Sequence, residues 1–177
     1  MNILFAFEHT FLEYIRAHLT CGFLDSLMPI LSLINQHGEV WILTALLLLC
    51  VPKYRYDGAR LATALFVGFI ICNIILKPTI ARIRPFDINT AIDLIVNPPR
   101  DFSFPSGHTV SSFLSVPILW KANRKFGIAA LVLAILIAFS RLYLYVHYPS
   151  DVLGGAIIGL AIGLLVSKIR FEKNTGN

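Results

Sequence analysis

The chain has 177 residues and a net charge of +5, with 56% hydrophobic and 14% charged residues and a mean hydropathy of +0.73. A soluble domain carries nearer a quarter charged residues, so this composition excludes an ordinary water-facing surface and points to a lipid bilayer as the main surrounding. The basic residues fall in short clusters between apolar stretches, with no basic face and no nucleic-acid motif, which excludes nucleic acid as a partner.

The N-terminus lacks the basic start and small-residue cleavage site of a signal peptide. Residues 1–19 read as an interfacial amphipathic helix or an extension of the first span. Leu4, Phe7, Phe11 and Ile15 recur at helical spacing, and Glu8, Glu13 and Arg16 supply polar positions. Apolar stretches follow at about 20–36, 39–52, 57–77, 106–121, 125–146 and 150–168. A straight span takes about 20 residues, so the second and fourth stretches are short for one. The predicted fold class is all-α: a polytopic membrane helical bundle of about six transmembrane helices, as one domain over 1–177. Five spans plus a re-entrant segment is the alternative.

Alternating spans put Arg16, Lys53, Arg55, Arg60, Lys121, Arg124, Lys125, Lys168, Arg170 and Lys173 on one side. The positive-inside rule makes that side cytoplasmic, with both termini inside a plasma or inner membrane. Lys77, Arg82, Arg84, Arg100 and Arg141 break the rule, bracketing the longest, extracytoplasmic loop, 78–105, and the end of span five. Arg82 and Arg100 read as snorkelling cations. Lys77, Arg84 and Arg141 form a cationic set that suits a phosphate dianion and the charge-rich transition state of its transfer.

Two further motifs join them on that side. Pro105-Ser106-Gly107-His108 precedes span four, where Ser106 suits a helix N-cap and Gly107 lets backbone approach a ligand. Ser140-Arg141 leads to His147 and Asp151, four apart and on one helix face if Pro149 opens span six. Asp151 would orient one nitrogen of His147 and leave the other free to attack phosphorus. His108 would protonate the leaving oxygen and then activate water. No carboxylate cluster is available for a divalent metal, and no cofactor is implied.

Lys77, Arg84-Pro85, Pro105-Ser106-Gly107-His108, Ser140-Arg141, His147 and Asp151 together resemble the signature of the type 2 phosphatidic acid phosphatases, the lipid phosphate phosphatases. The resemblance implies a metal-independent membrane lipid phosphatase acting through a phosphohistidine. Vanadium haloperoxidases share the site but are soluble, unlike a chain of six apolar spans. Small bacterial members of the family act on undecaprenyl diphosphate, phosphatidylglycerol phosphate or phosphatidic acid. An extracytoplasmic site makes undecaprenyl diphosphate the expected substrate. A lipid phosphotransferase is one alternative. A non-enzymatic lipid transporter is another, which would need the cations but not a second histidine.

Other features have plainer expectations. Cys21, Cys50 and Cys72 read as small buried hydrophobes, Trp41 and Trp120 as interfacial anchors, and His37 and Glu39 as solvated. Gly155, Gly159 and Gly163 read as close packing within the bundle, with a dimer face as the alternative.

Overall fold

A backbone surrounded by hydrocarbon must satisfy its own N–H and C=O groups, which helices do within one segment. The computed structural model describes residues 3–169, and every regular element among them is helical. The chain runs through α1 (Ile3–Leu19), α2 (Gly22–Leu33), α3 (Glu39–Cys50) and α4 (Arg55–Phe69). A π-helical stretch (Ile70–Leu76) continues α4 into two short helices, α5 (Lys77–Ile80) and α6 (Pro85–Ile88). After a long irregular segment come α7 (Gly107–Ala122), α8 (Arg124–Tyr143) and α9 (Pro149–Ser167).

Among the described residues, three runs are long and apolar enough to cross a bilayer: Arg55–Ile88, Arg124–Tyr143 and Pro149–Ser167. The other apolar stretches are helical where expected but shorter. With 12 residues each, α2 and α3 reach about 18 Å against a hydrocarbon core of about 30 Å.

The centre of the bundle is α7, packed between α9, α8 and α4. Its contact with α9 depends on the glycine series. A Cβ at Gly155, Gly159 or Gly163 would stand 2.9, 2.6 or 2.2 Å from the carbonyl oxygens of Ser106, Val110 and Leu114. These glycines therefore let two backbones meet inside one chain, as expected. Trp41 departs from expectation. It is buried and donates its indole N–H to Ser112 Oγ at 3.1 Å, so α3 is keyed into α7 rather than anchored at an interface. Trp120 is exposed. Among the cysteines only Cys72 is buried; Cys21 and Cys50 are exposed.

The two ends of the bundle differ in chemistry. One end gathers Lys53, Arg55, Arg60, Lys121, Arg124, Lys125 and Lys168, tied by Arg60 Nε to Ile169 O at 3.0 Å and by Lys121 Nζ to Ser167 O. Arg170 and Lys173 lie outside the described residues. Arg16, expected with this group, is instead at the opposite end, where its guanidinium reaches Asp93 O in the long loop at 3.5 Å. The reason lies in α1, whose inward face is Glu8, Leu12 and Ile15, while Ile3, Leu4 and Phe7 point outward. Both ends of α2 are also held near the C-terminal end of α8: Tyr143 Oη donates to Asp25 Oδ1 at 2.6 Å, and Arg141 Nη1 donates to Ser32 Oγ. Together α1 and α2 form a cap over that end.

Candidate active site

The π-helical stretch ends at Lys77, and such wide turns redirect the side chains that follow them. Lys77 is buried and turned inward to Asp101, its ammonium donating to that carboxylate. Arg84 precedes Pro85 and takes the extended conformation that a following proline enforces. Its guanidinium is fixed by backbone acceptors: Nε donates to Asp101 O at 2.7 Å and Nη1 to Val146 O at 2.6 Å. Arg141 approaches from α8; it is buried, and its Nε has no partner. Ser106 occupies the N-cap position of α7, yet its hydroxyl accepts from Thr109 Oγ1 at 3.0 Å instead of capping a backbone N–H. Gly107 lies so near that a Cβ there would be 3.9 Å from Lys77 Nζ. The first-turn N–H groups of α7, which have no intrahelical acceptor, thus start beside the cation.

Lys77, Arg84, Arg141, Gly107, His108 and His147 line one cavity of about 1560 Å³. From this polar mouth it runs down between α3 and α4, past Leu46, Leu49, Ala62 and Phe66. A polar head and an apolar chain would find matching surroundings in sequence.

His147 stands in the turn between α8 and α9, buried, with Tyr145 just before it at φ +59°. Positive φ is rare for a bulky residue and re-aims the chain. Tyr148 is extended and Pro149 opens α9, as its fixed φ and missing N–H allow. His147 Nε2 faces Arg84 Nη1 at 3.2 Å. A guanidinium can only donate, so the lone pair is on Nε2 and the proton on Nδ1, which points to Asp151 Oδ2 at 3.5 Å. That separation is an ion-pair distance, longer than a formed hydrogen bond. Burial, then the charges of Arg84, Arg141 and Lys77, depress the His147 pKa well below 6.5, while Asp101 acts in the opposite sense. These effects favour the neutral imidazole, with its Nε2 lone pair turned toward the cations.

His108 donates Nε2–H to Ser32 O at 3.1 Å, because a carbonyl can only accept, and this leaves Nδ1 to exchange protons. Its backbone is fixed by Asn35 Nδ2, which donates to His108 O at 3.0 Å. His37 and Glu39 are exposed and pair with each other at 2.8 Å. Among the described residues no group of three His, Cys, Asp or Glu stands together as a metal site.

Three residues at this end carry more than their sequence context suggested. Asp101, from the long loop, pairs with both Lys77 and Arg84. Arg82, expected to snorkel, bridges Asp151 Oδ1 at 2.6 Å and Glu8 Oε2 at 2.5 Å. Glu8, expected on a polar outer face, is fully buried. Asp151 has partners beyond its 3.5 Å approach to His147: its Oδ2 also accepts from Tyr148 N at 2.9 Å and from Ser103 Oγ.

The PAP2 superfamily model matches residues 57–175, which include each of the motifs above. The chain belongs to the PAP2 superfamily. Among PAP2 relatives, the undecaprenyl-diphosphatase of Sulfolobus acidocaldarius is 34% identical over 149 residues, covering 82% of this chain and 70% of the relative. The undecaprenyl-diphosphatase BcrC of Bacillus subtilis is 32% identical, covering 80% and 72%. Among solved structures, Aquifex aeolicus LpxE superposes with a TM-score of 0.79 at 25% identity, covering 96% of this chain and all of that one. The Bacillus subtilis transmembrane PAP2 phosphatidylglycerolphosphate phosphatase gives 0.76 at 24% identity, covering 94% and 85%, and shares the fold. The chain is a multi-pass membrane lipid phosphatase.

Proposed function

We propose that the chain hydrolyses undecaprenyl diphosphate to undecaprenyl phosphate and inorganic phosphate, with His147 as nucleophile. The observation that carries this reading is the lone pair of His147 Nε2 at a cavity mouth lined by Lys77, Arg84 and Arg141. The terminal phosphate would lie among these cations and the first-turn N–H groups after Ser106 and Gly107. The entering phosphate anion offsets the cations around His108 and lets its Nδ1 take up a proton; Nε2 of His147 then attacks phosphorus, the bond to the bridging oxygen breaks, and His108 Nδ1 gives that oxygen its proton. Asp151 stabilises the charge on the phosphorylated ring through Nδ1–H. Water then attacks phosphorus, His108 takes its proton, and phosphate leaves with Nε2 restored.

The substrate choice follows the relatives named as undecaprenyl-diphosphatases, and the apolar groove under the site suits a long prenyl chain. The cations at the far end favour a cytoplasmic location for that end, with the site on the extracytoplasmic face of a cell membrane. On this reading the end of α9 is cytoplasmic, whereas α1 lies on the site's side. The whole chain, 1–177, acts as one membrane-embedded domain.

The test is phosphate release by purified protein from undecaprenyl diphosphate, phosphatidylglycerol phosphate and phosphatidic acid, in detergent with chelator and no acceptor lipid. Undecaprenyl diphosphate should give the highest kcat/KM. A higher value for either other lipid would overturn the substrate assignment, and an absolute need for an acceptor or for Mg²⁺ would overturn the mechanism.

A further inference from the structure

We infer that Glu8 of α1 and Arg82 are positioning residues for the His147–Asp151 pair, making the N-terminal helix a working part of the active site. The inference rests on His147 being the nucleophile. Glu8 and Asp151 are both fully buried carboxylates, and burying such a charge is costly unless it is paired and hydrogen-bonded. One guanidinium serves both. Arg82 Nη1 donates to Asp151 Oδ1 at 2.6 Å and to Ser150 Oγ at 2.6 Å, and its Nη2 donates to Glu8. The ring of Tyr148 lies 4.1 Å beneath it. Glu8 Oε1 also accepts from the backbone N–H of Ser150 at 3.1 Å, and from the Ser150 hydroxyl. That N–H is one of the donors that the start of α9 leaves unsatisfied. A carboxylate from α1 thus caps the helix that carries Asp151, at a residue three after His147 and one before Asp151.

The charges explain what Glu8 does for the reaction. His147 is faced by Lys77 from α5, Arg84 before α6, Arg141 from α8 and His108 from α7, with Asp101 from the loop and Asp151 from α9 as counter-charges. Asp151 stabilises a positive ring on His147 only with charge that Arg82 does not already neutralise. By sharing Arg82, Glu8 leaves more of the Asp151 charge for His147. Neither Glu8 nor Arg82 lines the cavity, so their effect falls on the chemical step and not on binding.

The experiment compares parent, Glu8→Gln, Ser150→Ala and His147→Ala in full-length purified form. Folded protein is counted by size-exclusion chromatography in detergent, and kcat, KM and the pH profile of kcat/KM are measured on a lipid phosphate. Glu8→Gln should lower kcat about 10-fold, the lower end of what losing an outer-shell partner does at comparable sites. KM should stay within about twofold, as expected for a group that acts only on the transition state. Removing the negative charge disfavours the protonated ring, so the acidic limb should move to lower pH. Ser150→Ala, which loses only the hydroxyl link, should lower kcat about threefold and carries the test alone if Glu8→Gln does not fold. A folded variant with parental kcat, or with a raised KM as its only change, would overturn the positioning role. Activity surviving in His147→Ala would instead overturn the nucleophile assignment on which that role depends.

Discussion

Replacing Asp101 by Asn should make the site bind phosphate more tightly. The Asp101 carboxylate sits on Lys77 and Arg84, the donors proposed for the substrate phosphate, so on that reading the two anions compete for the same cations. Partial burial on its own would raise the Asp101 pKa, but the Lys77 ammonium and the Arg84 guanidinium overcome that and hold it down at about 2. Against the ordinary 3.8 this corresponds to roughly 2 kcal/mol of preference for the charged, paired form. The side chain is 49% exposed, so solvent screening reduces the useful part to about 1 kcal/mol. Asn keeps the size and one acceptor but loses the charge. Inorganic phosphate should therefore inhibit Asp101→Asn with an inhibition constant about fivefold lower than the parent's. The assay is competitive inhibition of lipid phosphate hydrolysis at fixed ionic strength, with Asp87→Asn as an exposed-loop control. An unchanged or higher inhibition constant would refute competition by Asp101.

The same depressed pKa fixes a stability trend. A carboxylate with a lowered folded pKa stabilises above its unfolded value, and that contribution disappears as pH falls from about 4 through about 2. Thermal unfolding of Asp101→Asn should accordingly lose part of its acid sensitivity in that window. His147→Ala should abolish phosphate release, and Asp151→Asn should lower kcat by about 10²–10⁴-fold, by analogy with other orienting carboxylates. A KM effect alone for Asp151→Asn would contradict its role. Because burial, and then the surrounding cations, depress the His147 pKa, the acidic limb of kcat/KM, which reports free enzyme, should lie below pH 6.5; a limb at or above that value would contradict the proposed neutral nucleophile. Gly159→Ala forces a methyl against the Val110 carbonyl and should cost about 1–3 kcal/mol in unfolding measurements. Gly22→Ala, with open space around it, should change little, and equal effects at the two positions would refute the close-packing account.

Residues read correctly from the sequence have their partners close by in the chain or within a fixed motif. Pro149 and the four-residue spacing are enough to put His147 and Asp151 at the start of α9. That Lys77, Arg84 and Arg141 line one cavity was legible because those cations sit at apolar run ends, where cations are unfavourable. What was missed depends on contacts between distant parts of the chain. Glu8 looks like any polar position on an amphipathic helix until Arg82, 74 residues away, is seen against it. Trp41 looks like an interfacial anchor until Ser112 receives its N–H. Asp101 belongs to no periodic element, and only the folded loop brings it to Lys77. Arg16 was misplaced because counting alternate spans assumes that each apolar run crosses, whereas α1 and α2 remain at the site's end.

The meeting of α7 and α9 through Gly155, Gly159 and Gly163 has a mechanical consequence. His108 stands at the head of α7 and Asp151 at the head of α9, so the proposed proton donor and the proposed orienting carboxylate ride on one stiff plate. The walls that would receive an apolar tail belong to α3 and α4, on the other side of the cavity. Side chains of α3 and of the middle of α4 can change size to suit a bulkier tail without touching the contact between α7 and α9. Tail preference can then be retuned by exchanging residues such as Leu46 or Phe66 while the chemistry stays in register.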